Sequence, residues 1–121
     1  MHVQKLQFVS QLNVSRNVIN DARFLSKPGC FPYLKEINLA NNKLTHLPSL
    51  VLVNLERINF NGNLITSLEE FEGHPKLEII ELRGNKISNL KGLEKAVSLR
   101  ELYLADNSIS SLKGLANLPK L

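Results

Sequence analysis

An asparagine returns at nearly constant intervals along this chain, each time near the end of the same short pattern, and that recurrence restricts the fold more than any other feature. The segments VSQLNVSRNVI (9–19), LKEINLANNKL (34–44), LERINFNGNLI (55–65), LEIIELRGNKI (77–87) and LRELYLADNSI (99–109) share the template L-x-x-L-x-L-x-x-N-x-L. Its asparagines fall at Asn17, Asn42, Asn63, Asn85 and Asn107, at intervals of 25, 21, 22 and 22 residues. A period of that length belongs to stacked-repeat architectures, in which no unit buries its apolar side alone and each neighbour supplies the missing wall.

The residue types of the template follow from that geometry. In L-x-L the apolar residues alternate with a polar one, which makes a short strand with one buried face, and stacking the repeats aligns such strands into a parallel sheet. The spaced residues that follow, such as Ile87, Leu90 and Leu93, bring the chain back and fill the interior from the far side. The asparagine sits where the strand bends away and leaves backbone groups unpaired. Its amide donates and accepts at once, and orphaning such groups would cost about 1 to 3 kcal/mol each. Asn17, Asn42, Asn63, Asn85 and Asn107 are therefore predicted to form a buried structural column without a catalytic role. Gly62 and Gly84, directly before two of them, are expected to relieve crowding at the bend.

Between bends lie LPSL (47–50), LEEFEG (68–73) and LKGL (90–93 and again 112–115), too short for real helices and read as tight or single 3₁₀ turns. The first connection is longer and contains SKPGCFPYL (26–34), an irregular surface loop. The expected fold is an α/β solenoid: a right-handed arc with a parallel β-sheet on its concave face, 3₁₀ or irregular turns on its convex face and no long helices. Residues 1–121 are expected to form one domain of five repeats plus the start of a sixth. Val3, Leu6 and Phe8 offer a partial cap in front. At the back GLANLPKL (114–121) matches GLEKAVSL (92–99), so Leu121 takes the place of the first leucine of a sixth repeat. The expectation is a longer chain, or an end covered by a partner.

Nothing in the sequence points to catalysis. His2, His46 and His74 are scattered, and neither H-E-x-x-H nor Cys-x-x-Cys spacing occurs. Phosphate-binding glycine loops and a G-x-S-x-G elbow are missing as well. Cys30 is a lone loop cysteine, and the carboxylates of EEFE (69–72) read as a solvated edge. We expect no enzyme activity, no cofactor, no metal and no small-molecule substrate. No apolar run reaches the ~18 residues of a membrane span, and MHVQKLQFVS lacks the features of a secretory signal. A cytoplasmic protein without membrane contact is the expectation, and under it the N-x-S spacing of Asn13-Val14-Ser15 carries little weight.

The formal charge of +4 is uneven, with six Lys/Arg against two acids before residue 51 and nine against nine after it. A basic N-terminal half could meet an acidic partner or nucleic acid. Arg16, Arg23, Lys27, Lys35 and Lys43 fall on different faces, however, and no aromatic series is interleaved for base stacking. Nucleic acid is the weaker reading.

What remains is the open face of the sheet. The strand positions that point away from the core are Gln11, Asn13 and Ser15, then Glu36, Asn38 and Ala40, then Arg57, Asn59 and Asn61, then Ile79, Glu81 and Arg83, and finally Glu101, Tyr103 and Ala105. The last two turns supply an apolar residue, an aromatic and charged groups, the side-chain types that anchor protein interfaces. Ile79, Glu81, Arg83 and Tyr103 are the candidate contact residues, Arg57 and Asn59 form the next strip, and the asparagine-rich first turns form a polar rim. The competing interpretation is a set of surface ion pairs of little energetic weight.

By its period and its N-x-I-x-x-L-x-x-L continuation, the pattern resembles leucine-rich repeats of the intracellular 22-residue class, seen in phosphatase regulators and dynein light chains. The irregular details, a 21-residue step from Asn42 to Asn63 followed by EGHPKLEIIELRGNKI (72–87), are similar to leucine-rich-repeat proteins of the axonemal radial spoke. That resemblance implies a non-catalytic scaffold for protein–protein interaction, a structural adaptor in the cytoskeleton of the cilium. The alternatives it leaves open are a phosphatase-regulatory or dynein-associated subunit and, second, a nucleic-acid-associated adaptor. Protein partners are expected on the concave face and at the uncapped C-terminal end.

Overall fold

The computed structural model describes residues 9–26, 31–47, 52–71, 74–113, 115 and 118–121. The apolar centre of each template forms a strand of three residues: β1 (Gln11–Asn13), β2 (Glu36–Asn38), β3 (Arg57–Asn59), β4 (Ile79–Glu81) and β5 (Glu101–Tyr103). They pair in sequence order into one parallel sheet, β1-β2-β3-β4-β5. The register is the one in which template positions face each other, so Leu12, Ile37, Ile58, Ile80 and Leu102 line up across all five strands. The inner three of these are buried, while Leu12 and Leu102, each with a strand on one side only, are partly covered.

Behind the sheet the interior is filled in layers by Leu39, Phe60 and Leu82, by Leu44, Ile65 and Ile87, and by Leu47, Leu68 and Leu90, all buried. Phe71 and His74 close the far side, with ring centroids 5.7 Å apart in an edge-to-face arrangement. His74 Nδ1 lies 3.3 Å from the Leu52 amide nitrogen, which ties two successive turns together. His74, one of three histidines scattered in the sequence, is thus a buried packing residue.

The connections differ from the α/β expectation. Among the described residues they hold two 3₁₀ turns, Arg23–Ser26 and Leu93–Lys95, and no α-helix. The 11-residue template takes about half of each turn, and the short connection that remains is spanned by tight and 3₁₀ turns, which suit short pieces. The architecture is a parallel-strand β-solenoid, and no described helix is long and apolar enough to cross a membrane. The caps expected from Val3, Leu6 and Phe8, and much of the loop around Cys30, lie outside the described residues.

The asparagine column is the device that joins the turns. In each case Oδ1 accepts the amide N–H two residues beyond the asparagine of the preceding turn: Ile19 to Asn42, Leu44 to Asn63, Ile65 to Asn85 and Ile87 to Asn107, all at 3.1 Å. The NH2 group donates to a carbonyl of that preceding turn, as from Asn63 to Leu39 at 2.9 Å and from Asn85 to Phe60 at 3.0 Å. It also donates within its own turn, from Asn63 to Phe60 and from Asn85 to Leu82. Phe60 O therefore accepts from Asn63 of its own turn and from Asn85 of the following turn, and both its lone pairs are used.

The expected burial of all five holds only in mid-stack. Asn42, Asn63 and Asn85 are buried, Asn107 is half-buried, and Asn17 is exposed. Among the described residues Asn17 bonds to Val14 O and Ser15 O of its own turn, and no described turn precedes it. The residue before each of the five has a left-handed backbone: Arg16, Asn41, Gly62, Gly84 and Asp106, with φ of 60°, 58°, 70°, 67° and 58°. Glycine, asparagine and aspartate are the residues that adopt this conformation most easily. Crowding adds little at either glycine: a Cβ at Gly62 would meet only the end of the exposed Asn41 side chain, which can swing aside, and at Gly84 it would meet nothing closer than 3.8 Å.

Candidate functional site

Strand alternation sends the first and third residue of every strand to the concave side. The pairing aligns Gln11, Glu36, Arg57, Ile79 and Glu101 in one row and Asn13, Asn38, Asn59, Glu81 and Tyr103 in a second. The rows bring together five of the six candidate contact residues, Arg57, Asn59, Ile79, Glu81 and Tyr103, and Arg83, two residues past β4, joins them through its side chain. One position expected on this face, Ala40, is buried, although it is not part of the hydrophobic core cluster. It lies past the end of β2, where the chain has begun to bend.

At the β4–β5 end the side chains hold one another. Arg83 places its guanidinium carbon 4.3 Å from the centroid of the Tyr103 ring. Its Nη1 lies 3.5 Å from Glu81 Oε1. The Tyr103 hydroxyl donates to Glu101 Oε1 at 2.7 Å, and this bond holds the phenol pKa above its ordinary value. Ile79 is half-buried in the row between Arg57 and Glu101. Ion pairing and ring stacking therefore occur together here. The stacked arginine and bonded phenol are held in one arrangement before any partner arrives, which reduces the side-chain ordering cost of association.

The β1–β3 end is organised by its own backbone. Asn13, Asn38 and Asn59 each turn Oδ1 toward the N–H two residues on: Ser15 at 3.0 Å, Ala40 at 3.0 Å and Asn61 at 2.9 Å. This is a local side-chain cap on the bending strand end. Where Glu81 replaces the asparagine, the equivalent N–H of Arg83 is served from the neighbouring turn by Asn61 Oδ1 at 2.7 Å. A shallow cleft of about 240 Å3 runs over this part of the face, lined by Gln11, Asn13, Glu36, Asn38, Arg57, Asn59 and Glu81 among others. Among the described residues no group of three or more His, Cys, Asp or Glu is placed to share a metal ion.

A family model described as leucine rich repeat matches residues 32–87, and a second with the same description matches residues 98–118. Over those two stretches the chain is built of leucine-rich repeats. Two solved leucine-rich-repeat arcs of similar fold are internalins from Listeria monocytogenes. Internalin C2 aligns with all of this chain at a TM-score of 0.66 and 19% identity, and internalin F with 98% of it at 0.61 and 19%. At that identity the likeness concerns the fold alone. The chain spans 62% and 48% of those two proteins' lengths. No curated protein matches the sequence. Leucine-rich-repeat solenoids present extended concave surfaces to protein partners. The capping asparagines were missed as backbone ligands in the sequence, although N-x-[S/A/N] recurs at the right offset from the bend in the first three repeats.

Proposed function

We propose that this protein is a non-catalytic interaction scaffold, a single domain spanning 1–121, whose concave sheet face docks a protein partner. The contact is centred on Ile79, Glu81, Arg83 and Tyr103, with Arg57 and Asn59 as the adjoining strip. The observation that carries this reading is the stacking of Arg83 on Tyr103 on an uncovered sheet face. A pre-ordered arginine–aromatic pair beside a half-buried isoleucine has the composition of an interface hot spot. The more particular role, a structural adaptor of the ciliary axoneme, rests on the resemblance of residues 72–87 to radial-spoke proteins. Phosphatase-regulatory and dynein-associated roles are its alternatives.

The test is to compare wild type with Tyr103→Ala as affinity baits in extracts of ciliated and non-ciliated cells, then to measure the affinity of the retained partner. We expect a loss of about 2 kcal/mol or more on truncating Tyr103. An unchanged affinity, with the partner instead covering the convex turns or the Leu121 end, would mean the protein acts as a spacer held by its ends. Retention from ciliated extracts alone would support the axonemal role over its alternatives.

A further inference from the structure

Asn61-Gly62 is the only Asn-Gly step in the sequence. Such a step is chemically labile, because a glycine nitrogen has no neighbouring Cβ to hinder its attack on the preceding asparagine side chain. Asn61 is half-buried and Gly62 exposed, so water reaches the step. Both reacting groups are nevertheless committed elsewhere. Gly62 N–H, which becomes the nucleophile once deprotonated, donates to Arg83 O at 2.8 Å. Asn61 Oδ1, on the carbon to be attacked, accepts from Arg83 N–H at 2.7 Å. One residue of the following turn thus holds both ends of the reaction through its main chain.

The peptide between them is fixed as well. Asn61 O accepts from Asn41 N–H at 2.8 Å, and Asn61 N–H donates to Asn59 Oδ1 at 2.9 Å. Bringing the Gly62 nitrogen onto Asn61 Cγ requires rotation about the Asn61 Cα–C bond, which moves that nitrogen and Asn61 O together. Arg83 O and Asn41 N–H would then lose their partners at once.

We propose that Asn61-Gly62 is a spontaneous modification site held shut by the 77–87 turn, and that it reacts only while that turn is lifted from the one before it. In the lifted state the Gly62 nitrogen loses its proton and attacks Asn61 Cγ. The new C–N bond closes a succinimide, the Cγ–Nδ2 bond breaks, and the amide leaves as ammonia with that proton. Water then opens the ring at one of its two carbonyls, and nothing is oxidised or reduced. Opening at Cγ leaves an aspartate at position 61, whose carboxylate still accepts from Arg83 N–H when the turn settles back. Opening at the original main-chain carbonyl leaves an isoaspartate, with the chain rerouted through the side-chain carbons. The bend then carries one extra backbone atom, and Asn63 is displaced from Leu44 N–H and Leu39 O, the groups it serves in the preceding turn. A transient opening becomes permanent.

The test incubates the full chain at mildly alkaline pH, native and in guanidinium chloride, and follows the 61–62 step by mass spectrometry after digestion, with chromatographic separation of the isoaspartate form. We expect a native rate at least about tenfold below the denatured rate, an opening cost of about 1.4 kcal/mol or more. Asn85→Ala removes bonds that tie the 77–87 turn to the one before it and leaves Asn61, Gly62 and Arg83 in place. It should raise the native rate at least about fivefold, the lower bound for losing one buried partner. Hydrogen exchange at Gly62 N–H, read in wild type and so independent of whether the variant folds, should be slowed by at least about tenfold relative to the denatured chain. Equal native and denatured rates, no reaction at this step in denaturant, an unchanged rate in folded Asn85→Ala, or an unprotected Gly62 N–H would each overturn the proposal.

Discussion

The solenoid has two asparagine columns, and they end differently. The inner one, at the bend, runs unbroken from Asn17 to Asn107. The outer one, on the concave face, stops after Asn59 and gives way to Glu81 and Tyr103. Both serve backbone N–H groups, but in mid-stack the inner amides of Asn42, Asn63 and Asn85 do so inside the coil, away from water, whereas the outer ones serve strand ends that solvent can reach. A buried orphan is costly and an exposed one is nearly free. Position for position, then, the outer column can be surrendered to side chains with another purpose, and the last two strands are where this has happened.

The inner column should fail most severely. Asn85→Ala removes the acceptor for Ile65 N–H and the donors to Phe60 O and Leu82 O. We expect a loss of at least about 1 to 3 kcal/mol, the cost of one buried orphan, read from chemical denaturation. Asn17→Ala, which breaks bonds only within its own exposed turn, should cost well under half as much. Equal losses would erase the distinction between mid-stack and end. In the outer column Asn59→Ala should cost about 0.5 to 1.5 kcal/mol, the net worth of one intramolecular hydrogen bond.

A substitution can also extend the outer column. Glu81→Asn would supply Arg83 N–H with a cap from its own turn and dissolve the Glu81–Arg83 pair. Stability should stay within about 0.5 kcal/mol, as for a surface site, while partner affinity falls; a large stability change would show that the charged end is structural.

The smallest effect concerns pH. The Tyr103 phenol is held above its unfolded value of 10.0 by the bond to Glu101. A raised acid binds its proton more tightly when folded, so its contribution is present below pH 10 and is lost as pH rises through the folded value. Melting curves of wild type and Tyr103→Phe should therefore diverge only above pH 10, with wild type losing stability faster.

Much of this was legible in the residues. The template placed the strand centres Leu12, Ile37, Ile58, Ile80 and Leu102 correctly, because period-2 alternation and a repeated length leave one consistent register. It also aligned the concave rows residue by residue. The role of Asn13, Asn38 and Asn59 was not legible, since an amide bonded to its own strand end looks in sequence like any surface asparagine. Asn17 was expected to be buried by analogy with its equivalents, but burial is a property of having a neighbour, which the template does not encode. Arg16 in a left-handed conformation was invisible for a similar reason: the bend dictates the angle and only usually selects the residue.

The inner amides all reach in one direction, toward the preceding turn. Stripping a turn from the front merely releases an asparagine that keeps the bonds within its own loop. Peeling one from the back deprives the turn before it of a partner for a buried amide and for the second lone pair of a carbonyl. The molecule thus has a grain, like wood. An unzipping force or a protease working from the C-terminal side leaves at each new end an amide and a carbonyl for water to take up, whereas the same attack from the front leaves an asparagine still bonded within its own loop.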